Sequence, residues 1–372
     1  MTGDASGSHR RAPHPEPLAP SPGTYLPLEP MLARSVRSVP RDGYLYEPKW
    51  DGLRCLAWSD GREVLLRSRH GRPLERYFPE LVEAFRAVRE APVTVDGEIV
   101  VSTGRGLDFA GALSRIHPAA SRVERLRREI PARFIAFDLL LVGGRPLGER
   151  PFRERRDELE RALGGRAGPL AVSPIRDDPA LAATWLARYA GRGVDGVVAK
   201  HVGLRYRPGE RAMLKVKRAR TADCVLAGLR LFEEPPAVAS LLLGLYDALG
   251  ALRHVGVVSQ LPGAARARLL ELLLRRAVPL ASHPWVGGFL LERSPVGRLA
   301  GAAGRWTPDM ELDWVPLRPD LVCEVSYDHF DVDRFRHPAR FVRWRPGRDP
   351  RSCTFEQLPL GAADPGELLE RT

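Results

Sequence analysis

The stretch Tyr44-Leu45-Tyr46-Glu47-Pro48-Lys49-Trp50-Asp51-Gly52-Leu53-Arg54 constrains this chain more than any other. It reads as a strand that runs into Lys49, bends at Asp51-Gly52 and resumes from Leu53 to Trp58. Asp60-Gly61 then turns the chain back into Val64-Leu65-Leu66, which is a hairpin signal. Lys49 stands out because lysine is rare here. The 57 basic residues include only four lysines: Lys49, Lys200, Lys215 and Lys217. Arginine stays protonated in proteins, whereas lysine with a lowered pKa is a nucleophile. In a chain that uses arginine almost wherever it needs a cation, a lysine is informative. The plainer alternative is a surface lysine ahead of an Asp-Gly turn, and the remaining segments argue against it.

The 372 residues suit about two domains, and 44% hydrophobic with 28% charged residues is enough to bury a real core. A net charge of +11 points to a polyanionic partner, nucleic acid first. A GC-rich genome that inflates arginine is the competing explanation. Cys55, Cys224, Cys323 and Cys353 are far apart, so neither a zinc module nor a disulfide framework is expected. No apolar run is long enough to span a bilayer, and no signal peptide is evident. The reading is a cytoplasmic, nucleoid-associated protein, a monomer that does not engage membrane.

Residues 1–24 are rich in Pro, Gly, Ser and His and read as a disordered tail. Val93–Val100, Phe134–Leu140, Val194–Lys200 and Ala212–Lys217 read as strands, and Pro79–Glu90 and Pro179–Ala190 as helices. Asp96 and Glu98 lie two apart in a strand, so they share a face, as do Lys215 and Lys217. From Asp223 the character changes to short apolar strands with one amphipathic helix, Pro262–Arg276, which suggests a small barrel. The expected division is 25–220 for the first domain, 221–360 for the barrel and 361–372 for a C-terminal tail.

One chemistry unites these pieces. Lys49 attacks a phosphate, carboxylates at Glu98 and Asp195 hold a divalent metal, Lys215 and Lys217 neutralise phosphate charge, and Phe137 stacks on a base. Phosphoryl chemistry needs charge neutralisation and alignment more than acid–base work. Lys49 must react as the free amine. Lowering its pKa by ~2 units costs about 2.7 kcal/mol, which burial, metal and the nearby Lys215, Lys217 and Arg54 are expected to supply.

Six ordered segments give this chain a resemblance to the short bacterial ATP-dependent DNA ligases, like the ligase module of break-repair enzymes. They are Glu47–Arg54, Ser68-Arg69-His70-Gly71, Asp96-Gly97-Glu98, Phe137-Asp138-Leu139-Leu140, Asp195–Lys200 and Leu214-Lys215-Val216-Lys217. The resemblance implies an α+β fold: a nucleotidyltransferase (adenylation) domain of antiparallel sheets and flanking helices, followed by a β-barrel OB-fold. It implies that Lys49 carries AMP, that Glu47 reads the adenine amino group and that Phe137 stacks on the ring. Arg54, Arg69 and Glu98 would contact ribose, phosphate or the nick, and Glu98 and Asp195 would hold Mg²⁺ or Mn²⁺. Lys215, Lys217 and Arg211 would hold the α-phosphate of ATP. Arg340–Asp349 resembles the family's last motif, whose basic residues would orient pyrophosphate. The implied partner is nicked double-stranded DNA, helped by a DNA end-binding protein and a separate repair polymerase.

This sequence has Asp195 where the family usually has Glu, Met213 where Trp is common, and Gly347 and Arg348 where Asp and Lys are common. Plainer roles stand beside each assignment: core packing for Phe137, a solvated face for Glu98, a blunted strand edge for Lys215 and Lys217. Two other functions share part of the pattern. An RNA ligase or mRNA-capping guanylyltransferase has the same Lys-x-Asp-Gly and a barrel, and a non-catalytic basic DNA-binding protein has the charge.

Overall fold

The computed structural model describes residues 29–286 and 314–370, apart from short stretches at 103–105, 166–167, 190, 192, 218–219, 233, 235, 262, 331–332 and 359–362. The expected tail at 1–24 lies outside the described residues.

Two sheets carry residues 33–216. The first orders its strands Ala33–Val36, Met213–Val216, Val194–His201 and Tyr44–Trp50. All its pairings are antiparallel except that of Ala33–Val36 with Met213–Val216. The second runs Val64–Ser68, Leu53–Ser59, Val93–Val101, Ala132–Val142 and Arg145–Pro146, with Leu170–Val172 parallel to Ala132–Val142. The chain therefore leaves the first sheet at Trp50 and enters the second at Leu53. Gly52 makes the crossing. A Cβ there would lie 2.3 Å from the Ile99 carbonyl oxygen, so no side chain fits.

The two sheets pack face to face. Ala132–Val142 shows why its sequence is an almost unbroken apolar run. Phe134, Ala136 and Leu139 point to an outer core with Phe85 and Leu159, from the helices Pro79–Arg86 and Phe152–Leu163. Ile135 and Phe137 point to an inner core with Tyr46, Trp50 and Val197 of the first sheet. A strand buried on both faces has no polar side to show. Helix Pro179–Arg188 supplies Trp185 to the inner core.

Five strands form an antiparallel sheet in the order Leu252–Val258, Ala237–Tyr246, Arg220–Phe232, Val315–Tyr327, Arg340–Trp344. A parallel bridge between Val258 and Ala339, with Ala339 N donating to the Val257 carbonyl at 2.8 Å, brings its two edges together. Closure removes the unpaired edges that an open sheet would expose. Helix Gly263–Leu274 sends Leu273 into this core. Part of the stretch 361–372 folds back: Ala363 N bonds to Arg188 O at 3.3 Å, and Leu369 is buried beside Trp185 and Tyr189. Among the described residues no helix is long and apolar enough to cross a membrane.

Charges are buried inside this frame, in matched pairs. Arg155, fully buried, donates to Asp138 at 2.7 and 2.9 Å and to the carbonyls of Arg150 and Leu204 at 2.6 and 2.8 Å. Burial pushes the Asp138 carboxyl up, but Arg155 and then Lys200 pull it further down, below the usual carboxylate range. Removing one partner of a buried pair leaves an uncompensated charge. Asp138→Ala is therefore expected to destabilise by about 3–5 kcal/mol in urea unfolding. A loss under about 1 kcal/mol would show that water reaches Arg155.

Candidate active site

Lys49 sits at the end of its strand, opposite Gly196 in the register, and this places it beside Asp195. Its Nζ lies 2.9 Å from Asp195 Oδ2. Lys217 Nζ reaches the same oxygen at 2.5 Å from just beyond the strand Met213–Val216. One carboxylate oxygen thus lies between two ammonium groups. Gly196 permits the approach, since a Cβ there would sit 2.2 Å from the Val216 carbonyl oxygen.

This geometry corrects the expected chemistry of Lys49. Burial alone lowers its pKa, but Asp195 more than reverses that, with Glu98 and Asp51 adding, and the ammonium is stabilised. Burial also pushes the Asp195 carboxyl up, yet Lys49 and Lys217 outweigh it and hold it low. Lys215 is the lysine with a lowered value, through burial and then repulsion from Lys49, Lys217 and Arg211. The Lys49 amine is therefore free only once it leaves Asp195 and loses a proton.

Glu98 is across the same cavity. Burial raises its carboxyl to about 7, against the pull of Arg54 and Lys49. Its Oε1 accepts from Gly52 N at 3.2 Å, which ties the crossing to the second sheet. Arg54 is held in place: its guanidinium donates twice to the fully buried Asp96, both at 2.6 Å, and once to Met31 O at 3.2 Å. It also lies 4.5 Å from the centre of the Phe137 ring. Glu47 is 3% exposed, with Oε1 2.7 Å from Lys200 Nζ and Oε2 buried without a hydrogen-bond partner. Arg69 and Arg211 are exposed on the rim.

All the expected site residues line one cavity of about 470 Å³: Lys49, Glu47, Arg54, Arg69, Glu98, Phe137, Asp195, Arg211, Lys215 and Lys217. Four more residues come from the barrel: Asp328, His329, Arg336 and His337. Arg336 Nη1 donates to both oxygens of Asp51 at 2.6 and 2.8 Å, and its guanidinium stacks 4.2 Å over Phe109. His329 Nδ1 is 3.6 Å from Asp51, and Asp328 lies 3.9 Å from Lys217. Nothing in the local sequence marks these four residues. The motif at Arg340–Asp349 lies elsewhere. Arg345 and Arg348 pair with Asp223 at 3.2 and 3.6 Å, Arg343 pairs with Glu324 at 2.7 Å, and none of the three lines the cavity.

Two carboxylates on the walls of one cavity, one with a strongly raised pKa, are oxygen donors suited to a hard divalent cation. Among the described residues no cluster of three or more acidic, His or Cys side chains is preassembled.

Two pH dependences follow. Replacing Asp195 by Asn removes the group that stabilises the Lys49 ammonium. The pH profile of Lys49 labelling by an amine-directed reagent should then move to lower pH in metal-free buffer. An unmoved profile would mean another group sets it. Glu98 binds a proton more tightly folded than unfolded, so folding stability should fall as pH rises from the ordinary carboxyl range toward about 7. In chelator-treated protein, Glu98→Gln should flatten the change in melting temperature across that window. An equally steep change in the variant would assign it to other groups.

Residues 30–217 match the family described as ATP dependent DNA ligase domain, and residues 235–348 match the ATP dependent DNA ligase C terminal region. The chain is 48% identical over 336 residues to DNA ligase C2 of Mycolicibacterium smegmatis, covering 89% of this chain and 94% of that relative. It is 46% identical over 342 residues to DNA ligase C of Mycobacterium tuberculosis, with the same coverages. A third relative is the multifunctional non-homologous end joining DNA repair protein LigD of M. tuberculosis. It is 32% identical over 310 residues, which is 79% of this chain and 39% of that protein.

Proposed function

The chain belongs to the ATP-dependent DNA ligases, and from that premise we propose that it seals nicks in duplex DNA through an AMP carried on Lys49 Nζ. The observation that carries this reading is the convergence of Lys49, Asp195, Lys215 and Lys217 in a cavity that also presents Phe137 and the unpartnered Glu47 Oε2.

Lys49 attacks the α-phosphate of ATP and pyrophosphate leaves. AMP passes to the 5′-phosphate at a nick, the 3′-hydroxyl attacks, and AMP is released. Lys215, Lys217 and Arg211 supply fixed positive charge for the α-phosphate, and Arg69 reaches in from the rim. Phe137 stacks on adenine, and Glu47 Oε2 accepts from its 6-amino group. Arg54 acts from a fixed position under Phe137, tied to Asp96. Glu98 and Asp195 are the residues to hold Mg²⁺ or Mn²⁺, which when bound offsets the negative charge of the triphosphate. Asp195 keeps Lys49 protonated in the free protein, so the amine becomes reactive only once that contact is released.

The working units on this reading are 25–220 for adenylation and 221–360 for the OB-fold barrel, which bears on the site through Arg336. The net charge of +11 and the rim arginines suit a duplex read by backbone and shape. The name of the LigD relative supports a place in break repair, alongside a DNA end-binding protein and a separate polymerase. We assign the protein to cytoplasmic, nucleoid-associated work as a monomer.

The test is self-adenylylation with α-labelled ATP or GTP and Mg²⁺ or Mn²⁺, beside Lys49→Ala, then sealing of nicked DNA and nicked RNA duplexes. We expect an AMP adduct lost in Lys49→Ala and sealing of the DNA nick. A GMP adduct would point to the guanylyltransferase chemistry instead. A folded protein that binds DNA but forms no adduct would be a binding protein.

A further inference from the structure

Lys200 has no part in the scheme above, yet it is one of only four lysines and is 1% exposed. A buried ammonium costs several kcal/mol unless it is fully paired, so its position calls for a reason. Its Nζ contacts Glu47 Oε1 at 2.7 Å and the Phe137 carbonyl at 2.9 Å, with Asp138 Oδ2 at 4.0 Å. It lies 4.8 Å from the centre of the Phe137 ring and 4.6 Å from that of Phe152. The strand register explains the meeting. Glu47 faces Val198 directly, so Lys200, two residues on, projects from the same face of the sheet. One side chain thus grips both residues expected to hold the base: the carboxylate of Glu47 and the backbone of Phe137.

We propose that Lys200 is a positioning residue that sets nucleobase specificity, by keeping Glu47 an acceptor-only carboxylate whose free Oε2 takes a purine 6-amino group and refuses a 6-oxo group. The inference rests on the reading of Glu47 given above. An ionised carboxylate can only accept hydrogen bonds, whereas a protonated one can also donate. Burial pushes the Glu47 carboxyl up and leaves it raised overall, and Lys200, 2.7 Å away, is the foremost influence drawing it back down. Without Lys200, Glu47 would take up a proton more readily and could donate to a 6-oxo base. Lys200 also fixes Oε1, which leaves Oε2 as the one oxygen without a hydrogen-bond partner. A carboxylate forced against a carbonyl oxygen is repelled and left unsatisfied, and such a mismatch gives large discrimination.

The experiment compares α-labelled ATP with α-labelled ITP, which exchanges the 6-amino group for a 6-oxo group and the N1 acceptor for an N1–H donor. Formation of the covalent adduct is measured as kcat/KM in the full chain, Lys200→Met, Lys200→Gln and Lys200→Arg. The wild type should prefer ATP by at least roughly a hundredfold. Lys200→Met and Lys200→Gln should bring the preference within about tenfold, mainly through a raised KM for ATP and a gain with ITP. Lys200→Arg, which keeps the charge, should retain most of the preference. Lys200→Gln serves if Lys200→Met does not fold. Equal losses with both nucleotides, and an intact preference, would show that Lys200 only supports the fold and would overturn the proposal. If the wild type itself does not distinguish ATP from ITP, the reading of Glu47 fails and takes this inference with it. Glu47→Gln separates these cases: an amide both donates and accepts, so it should erode the preference with Lys200 in place.

Discussion

Charge inside the two-sheet sandwich must be matched pair by pair, because the space between the sheets has little water to solvate it. The structure meets this demand repeatedly. Glu47 pairs with Lys200, Arg54 with Asp96, Asp138 with Arg155, and Lys49 with Asp195. What remains after the pairing is what a ligand meets: Glu47 Oε2 without a partner, and Glu98 with its carboxyl raised to about 7. The site is thus the place where the internal charge matching is left incomplete. On the proposed reading, a nucleotide and a cation would bring the complementary groups. This also explains why Arg54 and Lys200, both cations beside Phe137, act from fixed positions.

The crossing at Asp51-Gly52 links this interior to the barrel. Gly52 has to be glycine because Ile99 O fills the space of a side chain, and the same tight passage turns Asp51 toward Arg336. The barrel therefore reaches Asp51, two residues from Lys49, while Lys49 itself stays with Asp195. Lys217 belongs to both sets of contacts, at 2.5 Å from Asp195 and 3.9 Å from Asp328 of the barrel. A shift of the barrel relative to the sheets would change the charge around Lys217 and Asp51 together, which couples lobe position to the electrostatics of the site.

Much of this was legible in the residues. The strands around Lys49, Glu98, Phe137, Asp195 and Lys215 could be read from apolar runs and alternation, since those patterns reflect burial on one or two faces. The chain's avoidance of lysine marked its four exceptions, and all four line the cavity. Arg336 was harder to find. It meets a partner 285 positions away, and a run of many arginines offers no local sign of which one turns inward. The placement of the basic residues at 343–348 was hidden for the same reason: their charge was visible, but Asp223 and Glu324, which pair with them on the barrel, were not.

The sequence by itself determined the main strands, the candidate site residues and the family, because these depend on residue type and short-range spacing. Tertiary structure decided what each charge does. Lys49 was expected to be depressed by neighbouring cations, and instead Asp195 stabilises its ammonium. Lys200 looked like the end of a strand motif, yet it lies buried against Glu47. The physical reason is that a side chain's protonation and reach are set by burial and by charges a few ångströms away, and those neighbours come from strands far apart in the chain.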